Sequence, residues 1–137
     1  MDKTKIMVVE DERIVARNLA RQLKDLGYDV VATVYSGEEA VEKVAELHPD
    51  LVLMDIVLAG KMDGIEAAEK IRALSGTPVV YLTAYADGKT FGRAKLTGPS
   101  GYILKPVEKK QLQVVIELAL NRQGIELNLQ KNHARLY

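Results

Sequence analysis

Four short apolar segments of the sequence each lead directly into a side chain that can do chemistry. In chain order these side chains are the acids Glu10 and Asp11, the acid Asp55, the hydroxyl of Thr83 and the amine of Lys105. Three carboxylates brought together repel one another unless a cation lies among them, and such oxygen donors suit Mg²⁺. A carboxylate between Mg²⁺ and an ammonium group is a reasonable phosphoryl acceptor, because both cations neutralise the incoming charge. The residue types therefore favour a magnesium-dependent site with Asp55 as nucleophile.

Taken singly, each of these side chains also fits an ordinary structural role. An aspartate after a strand commonly caps a helix or closes a turn, and an acidic pair before a helix favours the helix dipole. Thr83 could complete a turn, and Lys105 could be a solvated surface charge. Four such coincidences at the ends of four strands are improbable, so the joint pattern favours a functional site.

The apolar segments alternate with amphipathic segments five times, as in repeated β–α units. Strands are predicted at residues 6–9, 30–34, 51–54, 78–82 and 102–104. Short connections between five such units predict a parallel sheet with helices on both faces. Because ligands bind outside the carboxyl ends of parallel strands, the chemical side chains should meet at one edge of the sheet.

The intervening segments have helical spacing. In the first helix the apolar residues Ile14, Val15, Leu19, Leu23 and Leu26 recur at this spacing. Ser36 is expected to begin the second helix, with Glu39 completing a capping box. The third helix is predicted over 64–74. The fourth, over 87–96, is weak because two glycines interrupt it. A last long helix is marked by Leu112, Val115, Ile116, Ala119 and Leu120.

Composition narrows the function classes. The chain has 137 residues, which is the size of one domain. The absence of cysteine excludes disulfides and thiolate metal sites, and two histidines make a multi-histidine metal site improbable. We find neither a secretory signal nor an apolar run long enough to span a bilayer, so a cytoplasmic location without membrane contact is expected. A formal net charge of zero gives no indication of direct nucleic-acid binding, although residues 70–137 carry 11 basic and 4 acidic side chains.

Five motifs together carry a family resemblance. They are Val8-Val9-Glu10-Asp11-Glu12, Leu53-Met54-Asp55-Ile56, Met62-Asp63-Gly64, Leu82-Thr83-Ala84-Tyr85 and Gly101-Tyr102-Ile103-Leu104-Lys105-Pro106. With these motifs the chain resembles the receiver domain of two-component response regulators, the CheY-like superfamily. Residues 1–122 are accordingly expected to form the receiver, and residues 123–137 a C-terminal helical extension or a truncated linker. The sequence leaves open whether the receiver stands alone or was excised from a longer protein.

The resemblance implies a flavodoxin-like (βα)5 fold, a doubly wound five-stranded parallel sheet of order 2-1-3-4-5. It implies that Asp55 accepts a phosphoryl group from a sensor histidine kinase or a phosphotransfer protein. Mg²⁺ or Mn²⁺ would be held by Asp11, Asp55 and the backbone carbonyl of Val57, with Glu10 acting mostly through water. No other cofactor is implied.

The resemblance also implies how the domain switches. Thr83 and Lys105 would contact the phosphoryl group, and Tyr102 would turn inward as Thr83 moves. The Lys105–Pro106 bond would be cis. The face built from the fourth helix, fifth strand and fifth helix would bind a downstream protein or a missing output domain, and a homodimer through this face is an open alternative. The domain would catalyse only its own phosphorylation and slow dephosphorylation.

Two departures from the family pattern concern the loop after Asp55. Ala59 stands where the family usually has proline, and Gly64 comes nine residues after the acceptor instead of eight. The loop over 57–62 therefore carries one extra residue. The resemblance implies that Val57 and Tyr85 flank the path of the hydrolytic water. Neither side chain has a carboxylate or amide to orient this water, so slow loss of the phosphoryl group is expected.

Three rival functions were weighed against the signalling role. A Mg²⁺-dependent aspartyl-phosphate phosphohydrolase typically shows Asp-x-Asp, whereas the sequence here is Asp55-Ile56-Val57, and no residues are left for a cap domain. A nucleotide- or flavin-binding domain would need a phosphate loop that is missing from the sequence. A phosphorylation-independent interaction domain remains the third alternative, against which the intact set of site residues argues.

Overall fold

Five parallel strands form a single sheet in the computed structural model, which describes residues 3–84 and 88–121, apart from the side chains of residues 88, 89 and 91. The strands are β1 (Lys5–Val9), β2 (Asp29–Val34), β3 (Leu51–Asp55), β4 (Val79–Thr83) and β5 (Gly101–Leu104). Their order is β2-β1-β3-β4-β5, and all four pairings are parallel. The predicted fold class and strand order are confirmed.

Helices cover both faces of this sheet. They are α1 (Arg13–Asp25), α2 (Gly37–Leu47), α3 (Gly64–Ser75), α4 (Gly88–Leu96) and α5, which is described over 109–121. Successive residues of a strand point to opposite faces. Met7 and Val9 accordingly pack in a core layer with α2 and α3, whereas Ile6 and Val8 pack in a second layer with α1 and α5. Two apolar layers thus hold the central strands and fix the sheet edge that carries the site.

The inner face of α1 differs from the one the sequence predicted. Its buried residues are Ala16, Leu19 and Leu23, and Ile14 is 84% exposed. At about 100° per residue, Ile14 lies roughly 200° around the helix from Ala16, so it points away from the sheet. Including Ile14 in the apolar face was therefore wrong, although the helix itself is confirmed.

Side-chain caps begin α2 and α3. The Oγ of Ser36 accepts a hydrogen bond from the backbone N–H of Glu39, as expected, but the Glu39 carboxylate contacts the Ser36 hydroxyl instead of closing the box on the backbone. The complete capping box lies at α3. There Asp63 accepts from the N–H of Glu66, and the Glu66 carboxylate accepts from the N–H of Asp63. Such a cap contributes about 1 kcal/mol and fixes where the preceding loop ends.

Polar contacts and one buried alanine hold the described part of α4. Among its described side chains only Ala94 is buried. Arg93 forms an ion pair with Asp63 at 3.0 Å, and the Arg72 guanidinium donates to the backbone oxygen of Thr97 just past the helix end. Exposed ion pairs of this kind each contribute little free energy to stability.

Some predicted features lie outside the described residues. These are the C-terminal extension over 123–137 and the position of Tyr85. Within the described ranges, no helix combines the length and apolarity required to cross a membrane.

Candidate functional site

The strand ends bring the predicted chemical side chains to one edge of the sheet. Glu10 and Asp11 follow β1, Asp55 ends β3, Thr83 ends β4, and Lys105 follows β5. Because all five strands run the same way, these positions share one edge. Glu10 and Asp55 are the two buried charged residues among those described, which marks this edge as an unusual environment for ionised groups.

Lys105 joins the two buried acids directly. Its Nζ donates to Glu10 Oε2 and to Asp55 Oδ2, each at 2.8 Å. Burial lowers the pKa of Lys105, but the hydrogen bonds to Asp55 and Glu10 outweigh burial, so the pKa lies above the usual 10.5. The ammonium group therefore stays charged and compensates much of the negative charge of the site.

Glu10 is the carboxyl whose environment most opposes ionisation. It is fully buried, and this burial, together with its interaction with Asp55, raises its pKa to about 7 despite the opposing effect of Lys105. A buried carboxyl next to a second acid holds a proton more readily than one in water. At neutral pH the metal-free site is thus close to a change of protonation.

The raised pKa of Glu10 predicts how the stability of the metal-free protein depends on pH. A carboxyl with a pKa near 7 when folded and about 4.5 when unfolded contributes stability that is fully present below pH 4.5 and is lost as pH rises through 7. Relative to Glu10→Gln, the wild-type protein in EDTA should lose up to about 3 kcal/mol of unfolding free energy over that window. Urea titrations at several pH values measure this difference. Glu12→Gln, at the exposed neighbouring position, should keep the wild-type slope, and a slope unchanged in Glu10→Gln would contradict the prediction.

Three carboxylates supply a donor set that fits a divalent cation. One oxygen each of Glu10, Asp11 and Asp55 can be chosen so that all three lie within 4.8 Å of one another. All-oxygen ligation with few carboxylates and room for water suits Mg²⁺ or Mn²⁺. The described residues therefore form a buried acidic cluster that could bind such an ion. Val57 contacts this cluster through its N–H, which donates to Asp55 Oδ1 at 3.0 Å, and the predicted use of its carbonyl oxygen stays a prediction.

A cavity of about 310 Å³ opens onto the cluster. Its lining includes Asp11, Asp55, Thr83, Thr90 and Lys105. It combines carboxylates, an ammonium group and hydroxyls around one open space, so a small anionic group could reach Asp55 from solvent.

Comparison with known proteins identifies this arrangement. The sequence profile described as "Response regulator receiver domain" matches residues 6–117. The chain belongs to the response regulator receiver domain family. The transcriptional regulatory protein PdtaR of Mycobacterium tuberculosis is 40% identical over 119 residues, which are 86% of this chain and 57% of that protein. This receiver spans about half the length of the curated relatives it matches, between 50% and 57% for PdtaR, ycf27 and MtrA.

Solved structures agree with the family assignment. The signal receiver domain of a modulated diguanylate cyclase from Desulfovibrio desulfuricans G20 is 41% identical and superposes with a TM-score of 0.87, covering 91% of this chain and 99% of that one. A CheY-like receiver domain protein from Methanospirillum hungatei JF-1 is 28% identical with a TM-score of 0.83, at 91% and 99% coverage. The chain is therefore a receiver domain of the two-component response regulators, a family that typically signals instead of catalysing.

The receiver's predicted switch residues lie on adjacent strands. Tyr102 pairs in register with Tyr81, their ring centroids are 6.0 Å apart, and the hydroxyl oxygen of Tyr102 is buried. Thr83 is half-buried and pairs in register with Leu104, one residue before Lys105. The Lys105–Pro106 peptide bond is cis. The two proposed switch residues thus lie on neighbouring strands.

Sequence reasoning missed two backbone contributions to the receiver's site. The N–H of Ala59 donates to Asp11 Oδ2 at 3.0 Å. Gly64 brings the start of α3 against the carbonyl group of Asp55 so closely that a Cβ would overlap it. The departure at Ala59 was a signal that the loop is unusual, but Ala59 and Gly64 each make their contact through the backbone, so the type of these two residues could not reveal it.

Proposed function

We propose that this receiver accepts a phosphoryl group on Asp55 from the phosphohistidine of a sensor histidine kinase or a phosphotransfer protein. The observation that carries the proposal is the placement of Asp55, which lies at an open cavity with Oδ2 2.8 Å from the Lys105 ammonium group. Glu10, Asp11 and Asp55 would hold Mg²⁺ or Mn²⁺ beside it. When bound, the ion supplies positive charge that offsets the charge of the phosphoryl oxygens.

The chain's own groups account for the transfer step. A carboxylate oxygen of Asp55 attacks the phosphorus atom, a new O–P bond forms, and the P–N bond breaks with its electron pair leaving on the imidazole nitrogen. The N–H of Val57 and the amine of Lys105 orient the Asp55 carboxylate before attack. Lys105 can then follow the negative charge from Asp55 to the phosphoryl oxygens, because its long stem carries a mobile point charge. Positioning and charge compensation of this kind are what phosphoryl transfer requires.

We assign the readout to Thr83, Tyr102 and α4. Thr83 lines the cavity, and its hydroxyl is of the type that would donate to a phosphoryl oxygen on Asp55. Movement of Thr83 would change the space next to Tyr102, which packs with the core layer containing Ala94 of α4. A change of packing at Ala94 can shift the position of α4, because small local displacements are amplified at packed contacts.

We place the partner surface on α4, β5 and α5. Exposed apolar residues lie on β5 and α5, with Leu104 53%, Val114 49% and Leu118 59% exposed, and α4 and α5 carry the exposed cations Lys95 and Lys109. Exposed apolar groups with a charged rim are typical of protein contact surfaces. A downstream protein, an output domain or a second copy of the receiver would bind there. Sedimentation velocity with and without phosphorylation measures the homodimer alternative, for which dimers should form only in the phosphorylated sample.

Incubation with acetyl phosphate and Mg²⁺ tests the proposed acceptor chemistry. Intact mass spectrometry should show one added phosphoryl group of about 80 Da, and EDTA should abolish the addition. Proteolysis should place the group on the peptide containing Asp55. A protein that stays unmodified with saturating donor and Mg²⁺ would favour the phosphorylation-independent interaction domain, and rapid release of phosphate with turnover would favour the phosphohydrolase.

A second cavity lacks the side chains that the proposed chemistry requires. It measures about 390 Å³ and lies near the amino ends of β4 and β5, with Arg72, Thr77 and Ser100 in its lining. Arg72 already donates to the backbone oxygens of Thr97 and Gly98. Its guanidinium group therefore has a structural use, and the lining holds no acid to pair with a metal.

A further inference from the structure

The loop after β3 is attached to the segment that follows β1 by a hydrogen bond that crosses 48 residues of sequence. The N–H of Ala59 donates to Asp11 Oδ2 at 3.0 Å. On one side of Ala59 the side chain of Leu58 is buried, and on the other side Gly60 has a φ of +103°, which turns the chain. The Ala59 amide is therefore held between an anchored side chain and a turn that glycine favours.

Hydrogen bonds distinguish one oxygen of the acidic cluster from the other five. Lys105 donates to one oxygen each of Glu10 and Asp55, and backbone N–H groups donate to their other oxygens. Ala59 donates to Oδ2 of Asp11. Within residues 3–84 and 88–121, Oδ1 of Asp11 is thus the one oxygen of these three carboxylates that accepts no hydrogen bond. An oxygen with no competing donor is the best placed to bind a cation directly.

We propose that the backbone amide of Ala59 is a positioning donor for the metal site. By engaging Oδ2, it holds the Asp11 carboxylate so that Oδ1 remains directed to a divalent cation. Groups that hydrogen-bond a metal-ligating carboxylate in this way commonly change metal affinity about 10- to 100-fold when removed. The inference deepens the proposed function, since it rests on the cation site that this function requires.

Substitution of Ala59 separates the amide from the side chain. Ala59→Pro removes the N–H, since proline has no backbone donor, and Ala59→Gly keeps it. Calorimetric titration with Mg²⁺, and electron paramagnetic resonance with Mn²⁺, should show affinity about tenfold or more weaker in Ala59→Pro. Ala59→Gly should bind within about threefold of wild type. Equal affinity in a folded Ala59→Pro, or tighter binding there because the cation and the amide compete for Asp11, would overturn the proposal.

Phosphorylation with acetyl phosphate provides a second readout that a merely structural role would not produce. In Ala59→Pro the Mg²⁺ concentration for half-maximal labelling should rise about tenfold. The labelling rate at saturating Mg²⁺ should stay near that of wild type, because Asp55 and Lys105 keep their contacts. A lower rate at saturation with an unchanged Mg²⁺ midpoint would mean that Ala59 serves the loop and not the cation.

If Ala59→Pro does not fold, the wild-type protein can be used to test whether the Ala59 amide positions Asp11. Amide hydrogen exchange followed by ¹⁵N NMR should show the Ala59 N–H protected without metal and at least equally protected with saturating Mg²⁺. Loss of this protection on adding Mg²⁺ would contradict the proposal. The proposed function can fail separately. If Ala59→Pro weakens metal binding but Asp55 is never labelled in the wild type, phosphorylation is contradicted and the positioning role of the Ala59 amide still holds.

Discussion

Asp55→Asn should abolish the addition of about 80 Da from acetyl phosphate, with at least a hundredfold lower labelling rate. The amide is nearly isosteric with the carboxylate, so the N–H of Val57 can still donate to its oxygen. A neutral amide oxygen is a much weaker nucleophile than a carboxylate, and the Lys105 ammonium group no longer faces a negative partner at this position. Time courses of intact mass, taken at one Mg²⁺ concentration for both proteins, give the ratio of rates.

Asp63→Asn is the matched control for that substitution. Asp63 lies at the end of the same loop, but its carboxylate caps α3 and pairs with Arg93. Asparagine is as good a cap as aspartate, so the helix should persist and labelling should stay within about twofold of wild type. Asp55→Asn must also stay folded, which circular dichroism melting checks. Undiminished labelling of Asp55→Asn would move the acceptor to another carboxylate, and peptide mapping would show which one.

The convergence of the site residues could be predicted because it follows from strand direction alone. Each chemical side chain comes at or just after the end of a β-type segment, and parallel strands place such positions at one edge. Asp55 and Lys105 are 50 residues apart in sequence, yet Lys105 Nζ lies 2.8 Å from Asp55 Oδ2 in the structure. Their contact depended only on identifying β3 and β5 correctly. The prediction worked where a periodic pattern and a chain direction determine geometry.

Backbone and angular details could not be predicted in the same way. The amide of Ala59 would be present in any residue except proline, so residue type could not show that it reaches Asp11. Ile14 is apolar, but the buried face of α1 is formed by Ala16, Leu19 and Leu23, and Ile14 lies on the other side of the helix. The complete capping box at Asp63 and Glu66 has the same short spacing as the one expected at Ser36, and local geometry chose between them.

Gly64→Ala should lower the unfolding free energy of the domain by about 4 kcal/mol, which is a large effect for one added methyl group. Gly64 begins α3, and its N–H donates to the carbonyl oxygen of Ile56. A Cβ at Gly64 would overlap the carbonyl oxygen of Asp55 and lie 2.8 Å from its carbonyl carbon and 2.9 Å from the Cα of Ile56. These are backbone atoms, so relief requires moving the end of β3 or the start of α3. Urea unfolding followed by circular dichroism measures the loss.

Gly92→Ala is the same chemical change, but it is expected to raise the stability of the domain instead of lowering it. Gly92 lies in α4, and a Cβ there would meet nothing within 4 Å. Alanine should therefore stabilise the domain by roughly 0.5–1 kcal/mol, through lower entropy of the unfolded chain and better helix propensity.

Because the overlap at Gly64 displaces the carbonyl group of Asp55, Gly64→Ala should also slow labelling about a hundredfold under conditions in which it remains folded. If the two variants changed the unfolding free energy equally, α3 and β3 would be able to move apart at Gly64 with little loss of stability. The position of Asp55 would then be set by the hydrogen bonds of its side chain alone.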